Sequence, residues 1–243
     1  MKKLIKTLAR KLGAEITRYH PASSDALQLS KALEAGAINV VFDIGANAGQ
    51  FSSGIREHGY TGKIVSFEPL SSARKQLLTF ASHDRDWTVH DRCAIGDQDG
   101  DIEINISGNS VSSSVLPMLE SHSSAAVGSA YIDSERVPIS KLDTISHHYL
   151  TPESNLFIKI DTQGFEWQVL DGASETLKQA HGLLCELSLV PLYNGQRLWL
   201  DIIERLDSEG FMLWALQKGF TDPRTGQTLQ MDGIFLRRDL LKE

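Results

Sequence analysis

Between Phe42 and Phe51 the chain reads FDIGANAGQF. An acid, Asp43, and an asparagine, Asn47, stand among four residues with almost no side chain: Gly45, Ala46, Ala48 and Gly49. Small residues at the end of a strand let a ligand approach the backbone. The helix that follows brings free N–H groups to the same place. A dinucleotide loop has the spacing G-x-G-x-x-G, whereas this loop is D-x-G-x-N-x-G and lacks the third glycine. It is Rossmann-like and a poor match for NAD or FAD. Gly45 and Gly49 would also suit a plain tight turn, and Asn47 a helix N-cap.

Three further acids are placed to do chemistry. Glu68, in SFEP before Pro69, follows Gly45 by 23 residues, near the ~20 of a ribose-binding acid. A carboxylate there accepts hydrogen bonds from both ribose hydroxyls; its bland alternative is a solvated strand end. Asp43 adds negative charge where a phosphate would be repelled. Together these features favour a cationic nucleoside, S-adenosylmethionine, with its sulfonium and α-ammonium. Asp161 closes the apolar run LFIKI and is the candidate general base, with the N-cap of the next helix as its structural alternative. Glu186, after LLC, is the second candidate. Lys159 is placed to pair with Asp161, and Glu166 to meet the dipole of a first helical turn. His122, His147 and His148 fall in loops without paired ligand spacing, and no metal site is expected.

The elements that must position these residues follow a βαβ rhythm. INVVFDIG, KIVSFEP and NLFIKID read as buried strands, and GQFSSGIREHG and SSARKQLLTFASH as helices. WTVHDRCAIGD suggests a third strand and a turn. GDIEINIS alternates as a half-exposed strand does. Residues 108–130 are serine-rich and read as a long mobile loop able to close over an acceptor; ERVPISKLDTI follows as an extended segment. TQGFEWQVLDGASETLKQA reads as one helix, GLLCELS as a strand, and GQRLWLDIIERLDSEG as an amphipathic helix. FMLWALQ and MDGIFLRR, with no helix between them, predict an antiparallel pair at the sheet edge. The fold class is α/β, a mostly parallel sheet with helices on both faces.

The chain has 243 residues and a net charge of −7, which argues against a nucleic-acid partner. Six cations against Glu15 give the first 20 residues +5, leaving −12 for the rest. Leu4, Ile5, Leu8, Leu12 and Ile16 recur at helical spacing among those cations. This basic amphipathic helix is expected to pack on the sheet or a second subunit, with contact to an anionic membrane surface as the alternative. Two distant cysteines, Cys93 and Cys185, suit a reducing compartment, and the cytoplasm or its inner membrane face is expected. No window has the ~18 consecutive apolar residues of a membrane span.

VFDIGANAGQFS, VSFEPLSSARKQL, CAIGDQDGDIEI, SSSVL, KLDTI and FIKIDTQGFEWQVLDGA, in this order, resemble the FkbM family of S-adenosylmethionine-dependent methyltransferases. The resemblance implies a seven-stranded Rossmann-like class I methyltransferase sheet with an antiparallel last strand. It also implies O-methylation of a hydroxyl on a sugar, glycan or secondary metabolite. Residues 1–36 would form an N-terminal helical extension and residues 37–243 the methyltransferase domain. Cofactor contacts are expected from Asp43, Gly45, Ala46, Asn47, Gly49, Glu68, Pro69 and Asp161, with Cys93 and Ala94 beside the adenine. Thr162 and Gln163 depart from the family pattern and receive no role. The competing functions are an NAD(P)-dependent oxidoreductase, weakened by the missing third glycine, and a non-catalytic nucleoside-binding domain.

Overall fold

A computed structural model describes residues 2–240. The chain opens with α1 (Lys2–Lys11), then an irregular stretch and a 3-10 turn, Pro21–Ser23. Among the described side chains of this segment Ile5, Leu8 and Leu12 are exposed and Ala9 is buried. In α2 (Asp25–Ala35) the Ser24 hydroxyl accepts from the Leu27 N–H as a cap. α2 buries Leu29, Ala32 and Leu33 against Val41, Ile64 and Ile234. α2 therefore packs on the main sheet.

The βαβ rhythm is present as expected: β1 (Val40–Ile44), α3 (Gln50–Glu57), β2 (Lys63–Phe67), α4 (Ser71–Ala81) and β3 (Trp87–Val89). β1 is buried throughout, as is β2 beyond Lys63. Strands covered on both faces read as continuous apolar runs rather than alternations. The middle of the chain builds a second sheet that the sequence does not announce. β4 (Ala94–Ile95) pairs parallel with β6 (Tyr131–Ser140), and β6 pairs antiparallel with β5 (Gly100–Ser107). Its strands are legible singly, but their pairing spans the serine-rich loop and leaves no local signal.

That loop is held, not loose. It carries a short helix, α5 (Glu120–Ser123), and a bridge between Asn105 and Ser114. The Ser114 hydroxyl donates to the Gln163 carbonyl at 2.6 Å, and the Tyr193 hydroxyl to the Ser112 carbonyl at 3.3 Å. His122, expected at the surface, is buried against Tyr193 and Phe220 with Nε2 3.1 Å from the Ser112 hydroxyl.

After α6 (Leu142–Ile145) come β7 (Leu156–Ile160), α7 (Glu166–Asp171) and α8 (Ser174–Gln179). The single helix expected over this region is two, because the chain turns at Gly172. A Cβ there would lie 1.8 Å from the Gly96 carbonyl oxygen. β8 (Ala180–Ser188), α9 (Trp199–Ser208), β9 (Phe211–Lys218) and β10 (Gln230–Arg237) complete the main sheet. Its order is β3-β2-β1-β7-β8-β10-β9, with β10 alone antiparallel to its neighbours. Connections from β1 run outward to β2 and β3, then return to β7 on its other side. That reversal opens a crevice at the carboxyl ends of β1 and β7.

Candidate active site

A cavity of about 400 Å³ occupies the crevice, a size suited to a small-molecule ligand. Its floor is the end of β1 and its roof the serine-rich loop at residues 110–115. Gly45 takes φ +73°, and a Cβ there would sit 1.9 Å from the Asp161 carbonyl oxygen. The glycine is thus required where the chains leaving the paired strands β1 and β7 meet, as well as beside the cavity. Gly49 has a different job from the one expected. It is the N-cap of α3 and does not line the cavity; a Cβ there would meet Leu77 and Trp87 at 2.9–3.0 Å. Asn47 is not the N-cap; it adopts φ +46° and faces the cavity.

Glu68 is built into the wall. Its Oε2 accepts from the Asn47 N–H and its Oε1 from the Leu70 N–H, both at 2.7 Å. Each oxygen keeps a lone pair toward the cavity. Burial pushes the carboxyl pKa up to about 7, against the opposing pull of the two N–H bonds and of Lys159. Beyond Pro69, the far end of the cavity is apolar, formed by Leu70, Cys93, Ala94, Ile95 and Phe165. Cys93 is a packing thiol whose pKa burial raises to about 11.

Asp43 is displaced from its expected role. It is fully buried beneath the loop, where its Oδ2 accepts from the Ser52 hydroxyl at 2.7 Å and its Oδ1 faces the Lys159 ammonium at 3.3 Å. Its charge is balanced inside the protein, so it does not repel a phosphate from the cavity. The amides of the loop itself are committed as well. The N–H groups of Gly45 and Ala46 both donate to the Phe67 carbonyl, that of Asn47 to Glu68, that of Ala48 to the Asn47 side chain, and that of Gly49 to the Ala46 carbonyl. The amides of residues 45–49 are thus bonded within the protein, while Glu68 and Asp161 line the cavity.

Lys159 joins the two central acids. Its ammonium lies 3.4 Å from Asp161 Oδ2 and donates to the Gly45 carbonyl at 2.8 Å. Burial alone would lower its pKa, but Asp161 and Asp43 more than offset that and hold it above its ordinary value. Asp161 opens on the cavity with 38% of its side chain exposed. It is not a helix cap, because α7 begins only at Glu166. Gln163, to which the sequence assigns no role, donates from Nε2 to Asp161 Oδ1 at 2.8 Å and to both Glu186 oxygens at 3.0 Å. Its own Oε1 accepts from the Tyr193 hydroxyl at 3.0 Å.

Glu186 therefore lies behind Gln163 and does not line the cavity. Burial and the charges of Asp161, Glu166 and Asp232 hold its pKa well above the ordinary value. Glu166 serves its own loop, accepting from the N–H groups of Thr162 and Gly164 at 2.8 and 3.1 Å. Asp232, on β10 opposite Glu186, also reaches the cavity, and burial then Asp161 push its pKa up to about 7. An acid inside the apolar strand MDGIF was a legible signal; Tyr193 left none.

A family profile described as the methyltransferase FkbM domain matches residues 43–213. The chain belongs to the FkbM methyltransferase family. Its cofactor is S-adenosylmethionine. Comparison with curated proteins found no match. Among solved structures, an FkbM methyltransferase from Methylobacillus flagellatus aligns at 14% identity and TM-score 0.46, over 81% of this chain and 43% of that one. The chain thus spans less than half of that protein's length. Fibrillarin from Aeropyrum pernix, with natively bound S-adenosylmethionine, aligns at 10% identity and TM-score 0.47 over 86% and 74% of the two chains. A magnesium protoporphyrin IX methyltransferase from Synechocystis, also with the cofactor bound, aligns at 9% identity and TM-score 0.44 over 97% and 96%.

The FkbM cavity fits this cofactor on its own chemistry. Glu68 would hold the ribose, the apolar end at Ala94 the adenine, and the acceptor-rich floor at Gly45 and Asp161 the cationic end.

Proposed function

We propose that this FkbM methyltransferase transfers a methyl group to a hydroxyl oxygen of a sugar, glycan or secondary metabolite, with Asp161 as the base. The observation that carries this reading is the position of the Asp161 carboxylate. It faces the cavity, fixed on one oxygen by the Gln163 amide and on the other by Lys159. S-adenosylmethionine supplies a methyl already activated by its sulfonium. The protein's larger task is alignment, worth about 7–11 kcal/mol. A hydroxyl keeps its proton in neutral water, so a positioned base adds roughly 10²–10⁴ in rate. Asp161 has free lone pairs for that proton, and its two clamps set their direction. The loop at residues 110–115 roofs the same space. Glu186 is the weaker candidate, because Gln163 stands between it and the cavity.

Turnover with methyl-labelled cofactor tests the reading. Sugar and polyketide alcohols should accept label, and the matching deoxy compounds should not. Label found on amine nitrogen, with alcohols inert, would remove O-methyl transfer.

A further inference from the structure

The apolar face of α1 has no cover. Leu8 and Leu12 are 55% and 82% exposed, and Ile5, Ile16 and Tyr19 are exposed as well. Five of the exposed large apolar side chains thus fall within residues 5–19. Leu12 continues the helical turn, its N–H donating to the Ala9 carbonyl at 2.9 Å. At about 100° per residue, Ile5, Leu8 and Leu12 fall within roughly 60° of one another. Lys3, Lys6 and Arg10 gather on the opposite side, and α1 has no acidic residue in its first turn.

We propose that α1 is an interfacial helix that docks the protein on a bilayer containing anionic phospholipid. Charge and shape together select that occupant. Residues 1–20 carry +5 and the rest of the chain −12, so attraction to an anionic surface is confined to this helix while the body is repelled. A second copy fits poorly. Two α1 helices packed face to face would cover Ile5, Leu8 and Leu12 but leave the cations on the far side of each helix without an anionic partner. A lipid surface supplies both halves of the match, with acyl chains for Ile5, Leu8 and Leu12 and anionic headgroups for the lysines and Arg10. No helix among the described residues is long and apolar enough to cross a membrane, so the attachment is peripheral.

Flotation of the full chain with phosphatidylcholine vesicles, with and without phosphatidylserine, tests this. Binding should require phosphatidylserine and fade as salt shortens the screening length. Each cation lost should weaken partitioning about fivefold, so Lys6→Glu with Arg10→Glu should cost about 30-fold or more. Leu8→Glu should abolish flotation. Because all three residues are exposed, S-adenosylhomocysteine should raise the melting point of each variant as much as that of the parent. Failure to float with phosphatidylserine vesicles overturns the proposal. So does flotation indifferent to both variants, or a dimer that Leu8→Glu dissociates in a chain that ignores vesicles.

Discussion

Asp161 and Glu68 face one cavity but should respond to substitution in opposite ways. Asp161→Asn keeps the size and an acceptor for Gln163 while removing basicity, and Lys159 remains paired with Asp43. We expect kcat to fall roughly 10²–10⁴ with little change in S-adenosylhomocysteine affinity. More than half of parental turnover on a true acceptor would exclude Asp161 as the base. Glu68→Gln should raise the cofactor KM about 10–100-fold and leave kcat within a few-fold, since ribose is held alike in ground and transition states. Initial rates at varied cofactor separate the two effects; a fall in kcat alone would contradict the assignment. Glu68 also predicts a proton signature. Its pKa is raised to about 7 by burial, and ribose hydroxyls donate to the ionised form and pull it down. Binding near pH 6.5 should release a proton, seen as a buffer-dependent calorimetric enthalpy that Glu68→Gln lacks.

At the scale of elements, the site depends on how closely β1 and β7 approach. Gly45→Ala would put a methyl into the Asp161 carbonyl at φ +73°. The expected loss is about 3 kcal/mol or more, combining backbone strain and overpacking. Gly54, inside α3, meets nothing within 4 Å. Gly54→Ala should instead stabilise by about 0.5–1 kcal/mol, because alanine is the better helix former. Urea denaturation of both variants checks the contrast, and equal effects would mean that Gly45 and the Asp161 carbonyl are not in close contact. The pair also shows why glycine spacing misleads. Gly45 and Gly49 look alike in the loop, yet one is needed by the close approach of the Asp161 backbone beside the cavity and the other by Leu77 and Trp87 behind it.

Across the whole molecule, the carboxyls gathered at the sheet edge set the response to pH. Burial raises the pKa values of Glu68 and Asp232 to about 7, and also raises those of Glu166 and Glu186. Between about pH 4.5 and 7 the folded chain keeps protons that the unfolded chain has released. Stability should therefore be highest on the acid side of that window and fall as pH rises through it. His90 and His122, lowered by burial, oppose the trend near their ordinary value of 6.5, but four carboxyls outweigh them. Denaturation midpoints at pH 5, 6 and 7 test this; a midpoint that climbs with pH would contradict it. S-adenosylhomocysteine at a hundred times its Kd should add ~2.7 kcal/mol, or about 5–11 °C in melting point for a chain of this size, and NADH none.

Much of this was determined by the sequence alone. Strands buried on both faces are continuous apolar runs, and in a parallel sheet their carboxyl ends share one edge. Gly45, Glu68 and Asp161 could therefore be assigned to a common site before any contact was known, and the antiparallel β9–β10 pair was legible because no helix stands between its two strands. Tertiary structure alone decided what each polar group meets. Asp43 reads as a cavity acid until Lys159, from a strand far along the chain, neutralises it from below. Glu186 reads as a rival base until the Gln163 amide comes between it and the cavity. The pairing of β5 with β6 and the anchoring of the serine-rich loop on Tyr193 were equally hidden. Periodicity reports which side of an element is covered, a local property of the chain. The partner across a gap is set by packing between distant segments, and no local pattern encodes it.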